Sequence, residues 1–220
     1  MKTNRQPNKT KLVLKKILKM KILIFFIIVA YSIEQSWAQT QRMDTSKVKT
    51  MKLIKSKQEF HEHFNDSDSY LILQKPILLP QTHVWISPPK NFKPVDNIRG
   101  LIHLATTTSI TCTEIKGYHY TQIIEQLTPE YIASQNAILN ETEEVITDNG
   151  MPAKLFTISF TVPAKDSTQK DTPFERVMLF TGDMENTIWL NATYPQSVKR
   201  FVSKIVRKSL LSVKLNEHNQ

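Results

Sequence analysis

The tripeptide Asp148-Asn149-Gly150 constrains the fold of this chain more than any other feature. Asn and Gly tolerate the positive φ angles of a tight β-turn, so the tripeptide predicts a hairpin. The flanks agree. After the turn, Phe156, Ile158, Phe160 and Val162 alternate with Leu155, Thr157, Ser159 and Thr161, the period of a strand with two distinct faces. Before it, Ile138 to Thr147 reads as the partner strand. Phe174 to Thr181 and Thr187 to Tyr194 predict a second hairpin around Gly182-Asp183. Upstream, His83 to Ser87, Gly100 to Ala105 and Thr107 to Lys116 are β-branched runs and predict three more strands. Pro76 and Pro80 confine Tyr70 to Leu79 to an edge strand or an extended segment, and Pro88, Pro89 and Pro94 mark extended loop.

Helices are fewer. Thr121 to Leu127 has helical spacing. Thr128-Pro129-Glu130 then restarts a helix with an N-cap hydroxyl, a proline at the first helical position and an acid at the positive end of the dipole. The last element is the most strongly periodic. Ser197 is placed to cap it, and Val198, Phe201, Val202, Ile205, Leu210 and Val213 form one apolar stripe. Lys199, Arg200, Arg207 and Lys208 lie largely elsewhere. This helix is expected to pack on the core.

The front of the chain has a different character. Lys21 precedes an apolar run from Ile22 to Ala30, and Ser36-Trp37-Ala38 sets small residues before a cut after Ala38. That is the layout of a secretory signal peptide, and the run is well short of the roughly 20 residues that span a bilayer. Residues 1–38 are therefore expected to be removed, with Met20 as an alternative start. Residues 39–57 form a polar lead-in, and residues 58–217 a single α+β domain. Eight of the 29 Lys and Arg precede the cut against one of the 20 acids, which leaves 21 bases against 19 acids. The basic pI thus belongs mostly to the leader, and a nucleic-acid partner loses its main support. No second apolar run suggests a membrane span in the mature form. The single cysteine, Cys112, excludes an intramolecular disulfide and is expected to be buried.

The phrases VWISPPKNF, LTPEYIASQNA, EEVITDNGMPAKLFTI, WLNATYP and SVKRFVSKIVRKSLLSV, in that order, resemble the superfamily of the photosystem II subunit PsbP. That superfamily includes the Ran-binding Mog proteins and small exported proteins of the LpqN kind. The resemblance spans about residues 80–215. It implies an antiparallel β-sheet flanked by helices, an α/β/α sandwich, with binding or assembly roles and no shared active site. No functional residue carries over, because these families share no catalytic motif.

Candidate chemistry is sparse. His61-Glu62-His63 lacks the H-E-x-x-H zinc spacing, and no calcium loop surrounds Glu141, Glu143, Glu144 and Asp148. There is no G-x-S-x-G elbow and no phosphate loop among the four glycines. No catalytic residue, metal ligand or cofactor is therefore assigned. The aromatic residues Tyr118, Tyr120, Tyr131 and Trp85 are the candidates for a ligand or partner surface. The expected function is an exported, non-catalytic binding or assembly protein, periplasmic or extracellular, with a protein or small ligand of the cell envelope as partner. Two alternatives stand beside it. One is an envelope hydrolase, which needs His83, His119 and nearby acids to converge. The other is a membrane-tethered protein with an uncleaved signal.

Overall fold

A computed structural model describes residues 72–164 and 170–215. The signal segment, the lead-in and His61-Glu62-His63 lie outside the described residues. The chain divides into Met1–Lys52 and Leu53–Gln220, and every described residue belongs to the second unit.

Seven antiparallel strands form the central sheet: β3 (Lys93–Val95), β4 (Gly100–His103), β5 (Thr108–Lys116), β6 (Ala137–Ile146), β7 (Pro152–Val162), β8 (Thr172–Gly182) and β9 (Asn186–Pro195). Their spatial order is β3-β4-β5-β9-β8-β7-β6. A second, small sheet has β2 (Val84–Ile86) between β1 (Ile77–Leu78) and β10 (Lys214–Leu215). Helices α1 (Tyr120–Ile124) and α2 (Pro129–Ser134) link β5 to β6, and α3 (Lys199–Leu211) follows β9. The result is the expected α+β architecture, an antiparallel sheet between helical layers.

Alternation assigns the two faces. Ile110 and Cys112 of β5, Val177 and Leu179 of β8, and Ile188, Leu190, Ala192 and Tyr194 of β9 point to one side. There they pack with Val202, Ile205, Val206 and Leu210 of α3 and with Val84 and Ile86 of the small sheet. Residues one step out of phase face α1 and α2. Phe156, Phe180 and Trp189 form a run of ring contacts there, and Ile123, Leu127 and Ile132 bury their side chains on that flank. Strand β9 is buried from Thr187 to Pro195, so its neighbours cover it on both faces.

The first hairpin turns at the tripeptide that the sequence marks. Thr147 pairs with Met151 through its N–H, and its carbonyl accepts from Gly150, so the loop is Asp148-Asn149-Gly150. Only Gly150 has positive φ, at 79°. This is a turn closed by a left-handed glycine, the three-residue solution to joining two twisted strands. At the second hairpin the Asp183 carboxylate accepts from the backbone N–H of Glu185 and Asn186, at 2.8 and 2.7 Å.

Three elements depart from expectation. Pro94 lies within β3 rather than in loop; as the outermost strand, β3 tolerates a residue with no N–H to donate. Ser197 does not cap α3. Gln196, Ser197 and Val198 form a 3-10 turn, and Val198 precedes the helix with no side-chain cap. The chain after α3 adds β10 to the small sheet. Ser209 Oγ donates to the Ser87 carbonyl at 2.7 Å, and Ser212 Oγ accepts from the Ser87 N–H at 2.8 Å, which ties β2 to the end of α3.

The opposite edge, β6, is long and carries exposed Ile138 and Ile146. Glu141, Glu143 and Glu144 and a register shift between Leu139 and Glu141 interrupt it, features that discourage pairing with another chain. Glu143 also binds Arg207 of α3 through two hydrogen bonds, at 2.5 and 2.7 Å.

The start of α2 follows the sequence closely. Thr128 Oγ1 accepts from the Tyr131 N–H at 3.2 Å, and Pro129 opens the helix. Replacing Thr128 by Ala should lower stability by about 1 kcal/mol. A thermal melt should register this as a fall of roughly 2–4 °C.

Candidate functional site

The face that meets α1 and α2 contains a polar seam where an apolar core is expected. Strand pairing sets Asn191 of β9 opposite Thr111 of β5 and Met178 of β8. One pleat along, Thr193 lies between Ser109 and Arg176. All of these side chains except Met178 are polar or charged, and register puts them on one side of the sheet.

Asn191 is 3% exposed, and neither its amide nitrogen nor its amide oxygen has a hydrogen-bond partner. A buried amide without partners costs about 1–3 kcal/mol per unsatisfied group, so such sites are usually filled by a water or by something bound. Arg176 is partly buried. Its Nε–H donates to Thr193 Oγ1 at 3.1 Å, and its guanidinium carbon lies 4.9 Å from the centre of the Phe160 ring. None of the ion pairs among the described residues includes it. Burial pushes its pKa down to about 10. The cation is thus held at a cost, with most of its N–H donors unspent.

Arg176 and Thr111 keep partial exposure while Asn191 and Thr193 are buried. The seam is therefore partly exposed at Arg176 and closed over the amide. It offers donors from Arg176, and one donor pair and one acceptor from Asn191. It contains no nucleophile paired with a base.

The aromatic candidates do not form one surface. Tyr120 opens α1 rather than extending a strand, with Tyr118 just before it and the His119 ring 4.6 Å from the Tyr120 ring. Tyr131 sits in the first turn of α2. All three are partly buried on the α1–α2 side. Trp85 lies in β2, whose neighbouring residues Val84 and Ile86 belong to the core under α3, so it sits across the sheet from the tyrosines.

The histidines have different partners. His83 Nδ1 lies 3.2 Å from Glu114, while His119 Nδ1 meets Thr121 Oγ1 at 2.8 Å as part of the α1 cap. His103 bonds Thr106 and stacks on Phe92. Among the described residues no group of three His, Cys, Asp or Glu side chains is disposed to hold a metal. Cys112 is buried, as expected, and its thiol is pushed up by burial, with Glu114 adding and Arg99 opposing.

Sequence reasoning passed over Asn191 and Arg176. The signal that points to them is a polar residue at a core-facing position of a strand buried on both sides, as in WLNATYP and FERVMLF.

The class these features define is an α+β domain with a seven-stranded antiparallel sheet and a buried polar seam under its short helix pair. No protein-family model matches the chain, and no curated protein matches it in sequence. Among solved structures it is similar to a crystal structure from Bacteroides thetaiotaomicron VPI-5482, at 12% identity and a TM-score of 0.46. That match covers 68% of this chain and 51% of the other, so the chain spans about half the length of that structure. It is also similar to the solution structure of cyanobacterial PsbP (CyanoP) from Synechocystis sp. PCC 6803. There the identity is 11% and the TM-score 0.44, over 63% of this chain and 94% of the other.

Proposed function

We propose that this chain is an exported binding or assembly protein of the cell envelope that acts without catalysis, through the seam on the α1–α2 face. The Met20 to Ala38 segment supplies the address. One observation carries the binding role: the Asn191 amide is sealed in the protein with no protein partner. A stability-neutral core would place a leucine or valine there. An amide kept at such a cost is the mark of a position selected for contact with something else.

Two measurements test this reading. N-terminal sequencing of the protein from fractionated cells should give a chain starting at Gln39 in the envelope fraction. A cytoplasmic protein starting at Met1 or Met20 overturns the export reading. Native mass spectrometry of that envelope-purified protein should show a small-molecule adduct that collisional activation releases. A protein that lacks any adduct, and turns over a substrate through a polar side chain whose replacement abolishes turnover, overturns the binding role in favour of an enzyme.

A further inference from the structure

We propose that the outer side of α3 and of the small sheet forms a docking surface for an anionic lipid bilayer. This surface lies across the central sheet from the seam and does not depend on the seam binding anything.

Charge is segregated onto this side. Residues 58–220 carry 15 bases against 18 acids, yet α3 alone holds five of those bases and no acid. Lys199 and Arg207 pair with Glu175 and Glu143. Arg200, Lys204 and Lys208 are exposed, and none of them has an acidic partner among the described residues. At intervals of four they share one face of the helix, in a row about 12 Å long. The helix buries its opposite face in the core, so the row points outward.

The small sheet continues the surface. Val84 and Ile86 enter the same core as α3, so Trp85 between them turns outward. Strand pairing sets Leu78 on one side of Trp85 and Lys214 on the other. Such neighbours lie about 5 Å apart, so a leucine, an indole and a cation form one row. Leu78 is 43% exposed, Lys214 is exposed and Trp85 is partly buried. Ser209 and Ser212 hold β2 against the end of α3, which joins the two rows in one layer.

Lipid fits this combination better than other polyanions. A nucleic acid or an acidic protein would engage the cations and leave Leu78 in water. A bilayer engages both: its anionic headgroups meet the bases, and its interfacial region takes an indole and a leucine. The convex side of a helix also suits a broad surface. The export reading points the same way, since an exported chain meets the membrane that it has crossed.

Co-sedimentation with phosphatidylcholine vesicles, with and without phosphatidylglycerol, tests the proposal on the protein as isolated from cells. The wild type should bind the phosphatidylglycerol vesicles, less tightly as salt rises. Replacing Arg200, Lys204 and Lys208 together by Gln, which keeps helix propensity, should weaken binding about a hundredfold. Lys93→Gln, Lys116→Gln and Lys170→Gln together remove the same charge from exposed positions elsewhere and should weaken it less than about threefold. All variants keep the wild-type N-terminus, so any lipid binding by the preceding segment cancels in the comparison. Brominated acyl chains should quench tryptophan fluorescence, and Trp85→Phe should remove that quenching. Equal losses in the two triple variants overturn the proposal, as does a wild type that ignores phosphatidylglycerol. Full competition by polyglutamate or a DNA duplex, without quenching by brominated lipid, assigns the cations to an acidic macromolecule and overturns it too. A chain that starts at Met1 or Met20 would overturn export, and the vesicle comparison would still decide this surface. A protein that carries an adduct but ignores vesicles keeps its binding role and loses only this surface.

Discussion

Replacing Gly100 by alanine should destabilise the protein by about 3 kcal/mol or more. A Cβ built on Gly100 would lie only 2.0 Å from the Ile110 carbonyl oxygen and 2.9 Å from the Thr111 Cα. Both are backbone atoms of β5, and β5 is pinned on its far side by eight residue pairs with β9. No flexible side chain stands in the way to swing aside. Strand β4 would have to lift from β5, carrying with it β3, which pairs with β4 alone. Leu101, fully buried in the core under α3, would lift as well. Gly150→Ala is the control. Gly150 has φ of 79° but no atom near the added Cβ, so only backbone strain of about 1 kcal/mol is expected. Urea unfolding of the two variants separates the effects. A Gly100→Ala midpoint no lower than that of Gly150→Ala would show that β4 can leave its register cheaply.

That contrast marks how far the sequence reads by itself. Gly150 was legible because local rules govern turns: Asn-Gly between two alternating strands has few other solutions. The α2 cap, the alternation of Phe156, Ile158 and Phe160, and the apolar stripe of α3 were legible for the same reason, since each depends on residues a few positions apart. Gly100 was not legible. Its constraint comes from a strand that begins eight residues later, and nothing in GLIHLA distinguishes a glycine pressed on a carbonyl from one that merely starts a strand. Strand β10 was missed because two residues carry no period. Ser197 was misplaced because a 3-10 turn absorbs the residue that a regular helix start would use as its cap.

The site was the least legible part, for a related reason. Strand β9 has no alternation to read, being buried on both faces, so Asn191 and Thr193 sit in its sequence like ordinary core threonines and asparagines. Arg176 looks like a surface charge beside Glu175. Only pairing reveals that the two adjacent charges point to opposite sides. Glu175 faces α3, where Lys199 neutralises it at 2.5 Å and Tyr194 donates to it at 2.6 Å. Arg176 faces the seam with no carboxylate among its partners. Two neighbours of opposite sign thus take opposite fates: one is a satisfied structural charge, the other a cation in want of an anion.

Alkali should unfold the protein sooner than its neutral stability suggests, and two buried acids set the window. Burial, with smaller contributions from Glu114, keeps the Cys112 thiol protonated well above its ordinary 9.0. Burial, with the hydrogen bond to Glu175, does the same for the Tyr194 phenol above 10.0. Once pH passes those ordinary values, the unfolded chain releases protons that the folded one retains. Stability is then intact below about pH 9 and falls as pH rises, by about 1.4 kcal/mol per unit for each group in play. By about pH 11 that amounts to two units for Cys112 and one for Tyr194, roughly 4 kcal/mol. Arg176 acts with the opposite sign. Its folded pKa, near 10, lies below the ordinary 12.5, so the unfolded chain holds the proton longer and about 1 kcal/mol returns over the same range. The net expected loss is about 3 kcal/mol between about pH 8 and about pH 11, read from urea midpoints. Cys112→Val, nearly equal in volume, should flatten the curve up to about pH 10, and adding Tyr194→Phe should remove most of the remaining fall. A wild-type curve as flat as that of the double variant would mean that neither group is shielded as the packing requires. The Arg176 contribution links this measurement to the seam. An anion bound there favours the charged guanidinium, so a ligand that stabilises the protein near neutral pH should lose that effect as pH rises past about 10.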